Sequence, residues 1–382
     1  MKLSNSALWV LITSAKLTVM TGSIIVPVIN VMRDAFDVDP ASAGFIITTH
    51  ALFAALSYPV SRNLVSTKGP KKLLVAGLLL YGVAGGSGLF ITSFELLLVS
   101  RAILGMSFAA VMTSVTAILN MYTQEERKAL MGLRGASTGF GSINWPIVGG
   151  FLGVFSWHLP FAVYLLTIPL GLFLLKLLPE IAIEHKGEGE PKDSVHKRND
   201  KSVIICGFTL LENSLLFTIL VFVPQILEKI GISFPFFISF FIIIIMISRV
   251  FGELLYGKIT FLSHEMVILF TLGLWAVGFA ATPMDTGVVI AGILILFGIG
   301  QGLSTPVIGR WANAAVDGDK ITMRMRIFGF IGQFLAPLVF FPVVLVSGIT
   351  EVFLAAGIVC AVLFVIFLGT LLLSRERVRE YS

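Results

Sequence analysis

Apolar runs long enough to cross a bilayer, separated by short polar turns, recur twelve times along this chain of 382 residues. No other feature restricts its fold so tightly. A backbone in hydrocarbon must satisfy its own polar groups, and a helix does so within one segment. The runs cover 7–32, 42–65, 72–92, 96–120, 129–154, 158–178, 202–227, 234–256, 265–283, 286–311, 325–347 and 350–374, the ninth being short. Only 13% of residues are charged, about half the share in a soluble chain. The expected class is an all-α polytopic membrane protein with twelve transmembrane helices. The first run reads as a retained span: only Lys2 forms a basic region, the run exceeds a leader's apolar core, and no A-x-A site follows.

Lysine and arginine fix the expected orientation. Loops after even-numbered runs, and the chain ends, carry most of them, including Lys68, Lys71, Lys72, Arg127, Lys128, Lys197 and Arg198. Loops after odd-numbered runs carry Arg33 and Lys229. The reading is a multi-pass cell-membrane protein with both termini cytoplasmic. The net charge of +5 thus reports topology and not nucleic-acid binding. Cys206 and Cys360 lie inside apolar runs and offer neither metal spacing nor a disulfide framework, so no metal site is expected.

The stretch Pro179–Lys201 is charged, poor in apolar residues and rich in glycine and proline, the composition of a solvated linker. It divides the runs six and six. The expected organisation is an N-terminal six-helix bundle over 1–178, a cytoplasmic linker over 179–201 and a C-terminal bundle with a short tail over 202–382. The halves repeat. A shift of about 197 residues brings Pro27 to Pro224, Gly105 to Gly302, Arg127 to Arg324, Gly132 to Gly329 and Gly135 to Gly332, and Pro146 meets Pro337 at about 191. Two parallel six-helix repeats form a transporter architecture, with the site between them near the midplane.

Several stretches resemble the major facilitator superfamily. Between runs 2 and 3 that family carries a pattern close to G-x-L-x-D-R-x-G-R-R. Here Leu64, Gly69, Lys71 and Lys72 match, while Arg62, Ser66 and Thr67 replace the first glycine, the carboxylate and the arginine. The equivalent after run 8, Gly257-Lys258-Ile259-Thr260, is weaker. Arg101 and Gly105 are similar to the family's R-x-x-x-G. Trp145-Pro146-Ile147-Val148-Gly149-Gly150 resembles the G-P-x-x-G-G ending typical of drug:proton antiporters, with tryptophan in place of the first glycine. The resemblance implies two pseudo-symmetric bundles, alternating access, and a proton-coupling role for Arg101. Gly69, Lys71, Lys72, Gly105, Pro146, Gly149 and Gly150 become candidates for gating. Physically, the glycines permit close helix approach and the proline bends its helix.

Polar residues deep in the runs supply the candidate site. Lys16 lies about 12–15 Å below the inner surface at 1.5 Å per residue, where an uncompensated charge costs at least a few kcal/mol. Thr13, Lys16, Met20, Ser23, Pro27 and Asn30 share one helical face that should meet a cavity or other helices. Glu212 is a comparably deep carboxylate on the repeat-mate span, near Lys16's position under a shift of about 196. Burial and a nearby lysine act on its proton in opposite senses. The pair is therefore either a brace or a proton switch. Glu212, Arg101 and His50 are the proton-coupling candidates, His50 because histidine titrates near neutrality. Substrate contacts are expected from Lys16, Met20, Asn30, Asn144, Asn213, Gln225, Gln301 and Gln333. Arg249 and Glu253, four apart in run 8, read as a brace or gate.

No G-x-x-x-x-G-K-[ST] loop, H-E-x-x-H or nucleophile–base constellation occurs, so direct ATP use and enzymatic activity are not expected. The expected function is a secondary transporter that exports hydrophobic or amphiphilic small molecules against a proton gradient, without cofactor, as a monomer in the lipid bilayer. One alternative is uptake or exchange of an organic anion or metabolite with Lys16 as the anion-binding charge. A remoter one is a non-transporting membrane sensor.

Overall fold

A computed structural model describes residues 3–180, 200–259, 261–281, 284–314 and 318–380. Residues 181–199 of the predicted linker, and Lys2, lie outside the described residues. Twelve helical rods follow in order: α1 (Asn5–Phe36), α2 (Pro40–Lys68), α3 (Pro70–Leu89), α4 (Phe94–Leu119), α5 (Gln124–Gly153) and α6 (Leu159–Leu177), then α7 (Asp200–Lys229), α8 (Pro235–Tyr256), α9 (His264–Ala280), α10 (Gly287–Ala314), α11 (Gly318–Val346) and α12 (Glu351–Glu380). Among the described residues no strand occurs. Ten rods are long and apolar enough to cross a membrane on their own. Helix α9 is shorter, and the first turns of α5 carry Glu125, Glu126, Arg127 and Lys128.

Local chemistry sets the ends. Asp39 caps α2 by accepting from the amides of Ala41 (2.9 Å) and Ser42 (3.0 Å), with Pro40 in the first turn. Gly69, at φ 87°, ends α2 and starts α3 in a conformation that side chains rarely adopt. Ser93 and Ser263 cap α4 and α9, and Thr123 with Glu126 opens α5. The apolar run 7–32 lies within α1. It is broken after Thr18 and again at a tight turn over Val26–Val28, where Pro27 withholds a backbone donor. Its repeat-mate α7 keeps one helix through Pro224.

Packing follows the repeat. Helix α4 lies along α2 as α10 lies along α8. Helix α5 lies along α1 as α11 lies along α7, and α6 packs on α3 as α12 packs on α9. A Cβ at Gly105 would stand 2.1 Å from His50 O, and one at Gly302 would stand 2.1 Å from Arg249 O, so the two glycines fill equivalent crossings. The repeat also corrects the sequence register. A Cβ at Gly141 would stand 3.0 Å from Lys16 O, and one at Gly332 would stand 2.2 Å from Leu210 O. Gly332 thus answers Gly141, not Gly135, and Lys16 answers Leu210, not Glu212.

Candidate functional site

The two groups of six helices meet through α1, α2 and α5 on one side and α7, α8 and α11 on the other. Contact is closest at the end away from the chain termini, here the distal end. Asn30 Nδ2 donates to Pro224 O at 2.7 Å. Gln225 Nε2 donates to Pro40 O at 3.0 Å and to Val221 O of its own helix at 2.9 Å. Arg33 Nη2 lies 3.1 Å from Glu228 Oε2. Glycines seat the helices beside these bonds: a Cβ at Gly44 would stand 2.9 Å from Val221 Cγ1, and one at Gly150 would stand 2.8 Å from Pro235 O.

Toward the termini the groups part along α5. A Cβ at Gly132, Gly135 or Gly139 would meet nothing within 4 Å, and Leu133 and Phe140 are exposed. Helices α2 and α11 stay together, with Phe45 against Phe334 (6.0 Å between rings), Arg326 over Tyr58 (5.9 Å) and Arg62 Nη1 3.5 Å from Met323 Sδ. The arrangement is shut at the distal end and open at the terminal end.

Lys16 and Glu212 do not meet. Lys16 Nζ lies 4.5 Å from the centroid of Phe140 and 5.5 Å from that of Trp145, both on α5. Its backbone carbonyl accepts Trp145 Nε1 at 2.9 Å. Aromatic faces thus supply part of the compensation that its depth demands. Glu212 is buried in the other group and turned to α10, where Ser304 Oγ stands 3.5 Å from Oε2. Gln301, Arg249 and Glu253 surround it, the last two paired on α8 at 3.1 Å. The predicted brace between the groups is absent: Lys16 faces α5 and Glu212 faces α10.

Arg101 is fully buried. Its Nη1 donates to Tyr164 Oη at 3.1 Å and reaches Thr21 O at 3.5 Å, and its guanidinium lies 4.7 Å from the Phe161 ring. Nε and Nη2 have no partner. Tyr164 in turn donates to Thr21 O at 2.9 Å, and Thr21 Oγ1 lies 2.7 Å from Tyr81 Oη. The network ties α1, α3, α4 and α6 into one block. His50 sits nearby on α2 with Nδ1 unpartnered and its ring 6.3 Å from Phe217 of α7.

The remaining predicted contacts divide. Met20 belongs to the core: it is fully buried and its carbonyl accepts from Tyr164 at 3.1 Å. Asn30 and Gln225 close the distal end instead of lining an open wall. Gln333 Nε2 donates to Asn213 Oδ1 at 3.1 Å, and both residues are part-buried on facing helices. Gln301 is buried with Oε1 unpartnered, and Asn144 is part-buried on α5. Among the gating candidates, Gly149 is the tightest, since a Cβ there would stand 1.8 Å from Ile24 O. Pro146 is buried within α5. Lys71 Nζ lies 3.6 Å from Glu180 Oε1 and Lys72 is exposed.

Sequence reading passed over Arg134 and Arg326, which flank the open end. The signal was present: each lies inside a predicted run, 129–154 and 325–347, and a charge there needs a reason.

A model of the Major Facilitator Superfamily matches residues 11–338. Multidrug resistance protein 2 of Bacillus subtilis is 27% identical over 179 residues, which cover 45% of this chain and 44% of that protein. Tetracycline resistance protein, class C, of Escherichia coli is 29% identical over 197 residues, covering 49% and 48%. Quinolone resistance protein NorA of Staphylococcus aureus is 27% identical over 158 residues, covering 41% of each. The matched stretch is thus less than half the length of each of these relatives. Among solved structures, the nucleoside transporter NupG superposes with a TM-score of 0.74 at 16% identity, covering 96% of this chain and 99% of that one. The inward open conformation of the xylose transporter XylE from E. coli gives 0.73 at 12% identity, covering 95% of each.

Proposed function

The chain belongs to the Major Facilitator Superfamily, and from that premise we propose that it exports amphiphilic small molecules across the cell membrane in exchange for protons. Export means loading from the cytoplasm, and the lysine and arginine distribution favours that side for the termini and with them the open end. The drug-resistance names of its relatives agree with an amphiphilic cargo.

The observation that carries the reading is Glu212. It is a buried carboxyl of the second group, with the Ser304 hydroxyl at 3.5 Å and the Gln301 side chain beside it, and it is held apart from Lys16. A carboxyl so placed can exchange a proton with whichever side is open. Arg249 and Glu253, one helix away, sense its charge. Protonation from the distal side and release to the terminal side, with substrate moving oppositely, completes the cycle of alternating access.

The test is flux in proteoliposomes. An imposed pH gradient should drive accumulation of an amphiphilic dye, and Glu212→Gln should abolish the gradient dependence while leaving dye binding in place. If the gradient drives no flux, or if the glutamine variant couples as well as the parent, the reading fails.

A further inference from the structure

Just below the Phe108–Phe330 contact (5.6 Å), on the side of the open end, two arginines approach across the seam. Arg134 belongs to α5 of the first group and reaches Met112 and Thr116 of α4, one and two turns along from Phe108, while Arg326 belongs to α11 of the second, one turn before Phe330, so the ring contact brings both to one stretch of the seam. Their partners are poor. Arg134 Nη1 donates to Thr116 Oγ1 at 3.1 Å, and Nη2 lies 3.2 Å from the thioether of Met112, a weak acceptor. Arg326 has the ring of Tyr58 at 5.9 Å. Among the described residues neither has a carboxylate within ion-pairing distance, although Arg33, Lys71, Lys201 and Arg249 each have one. Tyr58 is buried as a whole, and among the described residues its hydroxyl has no hydrogen-bond partner.

Two part-buried cations set together without an anion are costly twice, through lost hydration and through repulsion. A group bearing two or three oxygens with negative charge would relieve both costs. It would fit the planar donor forks of two arginines and accept the free hydroxyl. We propose that Arg134, Arg326 and Tyr58 form a subsite for an oxyanion, a carboxylate, sulfonate or phosphate, carried by the transported amphiphile. This rests on the export reading and names its substrate class. One arginine stands on each group of helices, so the anion bridges the groups at the open end. Without it, the two cations repel where α5 parts from α11; with it, closure of α5 on α11 is favoured.

The test uses two xanthene dyes of similar size, fluorescein (an anion at mildly alkaline pH) and rhodamine 6G (a cation). Full-length protein in lipid nanodiscs is titrated with each by fluorescence anisotropy. Fluorescein should bind saturably. Arg134→Gln and Arg326→Gln should each weaken it about tenfold or more, Tyr58→Phe by less, and rhodamine 6G should not weaken in parallel. Added salt should weaken fluorescein binding to the parent more than to the double variant. Arg134→Lys and Arg326→Lys keep the charge but lose the fork, and should weaken fluorescein a few-fold; they decide the matter should the glutamine variants not fold. A parent protein that does not bind fluorescein, or arginine variants that bind it as tightly as the parent, overturns the subsite. Failure of the export reading would show separately, as absence of proton-driven flux for either dye.

Discussion

Removing the distal latch should move the protein toward the state open at that end. The double variant Asn30→Ala, Gln225→Ala deletes the two amide hydrogen bonds that cross the seam there, to Pro224 O at 2.7 Å and Pro40 O at 3.0 Å, and leaves the Arg33–Glu228 ion pair in place. Each acceptor carbonyl sits within a helix and also faces a backbone amide, so its loss orphans no carbonyl. The cost per bond is then the net value, about 0.5–1.5 kcal/mol, rather than a full desolvation penalty. Two bonds give about 1–3 kcal/mol, or about a 5- to 150-fold shift in population. A second effect pulls the estimate down. Asn30 Oδ1 and Gln225 Oε1 are buried without partners, and alanine removes both. The lower half of the range is therefore expected. Spin labels on Ala35→Cys and Lys229→Cys, both exposed at the distal end, report the gap by double electron–electron resonance. The parent should show one short distance, and the variant should add a longer component. An unchanged distribution in a variant that still unfolds cooperatively would refute the reasoning.

Three further outcomes follow from the geometry. Gly149→Ala should destabilise by about 1–3 kcal/mol or more, because its Cβ would stand 1.8 Å from Ile24 O. Gly132→Ala, with nothing within 4 Å, should stabilise by up to about 1 kcal/mol through helix propensity; equal thermal unfolding of the two variants would sink the packing account. Asp39→Ala should cost about 1 kcal/mol by uncapping α2. Burial acts to raise the Asp39 carboxyl, but the Ser42 hydroxyl and the amides of Ser42 and Ala41 outweigh it and hold the group below its usual range. A depressed folded value gives stability that is present above the unfolded value of about 3.9 and lost as pH falls through the folded one. The melting gap between parent and Asp39→Ala should therefore persist at neutral pH and close only in acid. Gly105→Ala and Gly302→Ala fill equivalent crossings, each with a Cβ 2.1 Å from a backbone carbonyl; their unfolding penalties should agree within about 1 kcal/mol, and a large disparity would argue against the repeat.

What hydropathy could read was the count and order of helices, since crossing hydrocarbon leaves the backbone little choice. Its edges erred where helices run on beyond the apolar layer. Helix α5 starts at Gln124 and α11 at Gly318, against expected starts at 129 and 325, because charged turns remain helical in water. The site was less legible. Asn30 and Gln225 looked like substrate contacts because polar residues in a span demand partners, and a string of residues does not say whether the partner is a ligand or the other half of the protein. Lys16 and Glu212 face different helices, α5 and α10, and no spacing rule says which neighbour a polar side chain in a span will meet.

The two halves share a scaffold but not a chemistry, an asymmetry that suits the proposed proton-coupled cycle. Gly105 on His50 and Gly302 on Arg249 make the same crossing, so His50 and Arg249 hold equivalent places. The first is a histidine near a buried arginine that has no carboxylate among the described residues. The second is a cation paired with Glu253 beside a buried carboxyl. A symmetric protein carrying Glu212 in both halves would place two like charges in one dry seam, and each would hinder ionisation of the other. A protein with Arg101 in both would add a second uncompensated guanidinium to the membrane. Splitting the roles lets the first half serve as a rigid block, tied through Arg101, Tyr164, Thr21 and Tyr81, against which the second half can change its charge. On the proposed reading the proton then acts on one half and the substrate's oxyanion on both. Motion of one against the other is how the two are linked. Arg101→Gln should accordingly leave the pH response at Glu212 in place but loosen the block. The expected signature is faster hydrogen exchange at the Thr18–Met20 break with unchanged exchange in α8 and α10; protection lost equally in both halves would mean the block is not a separate unit.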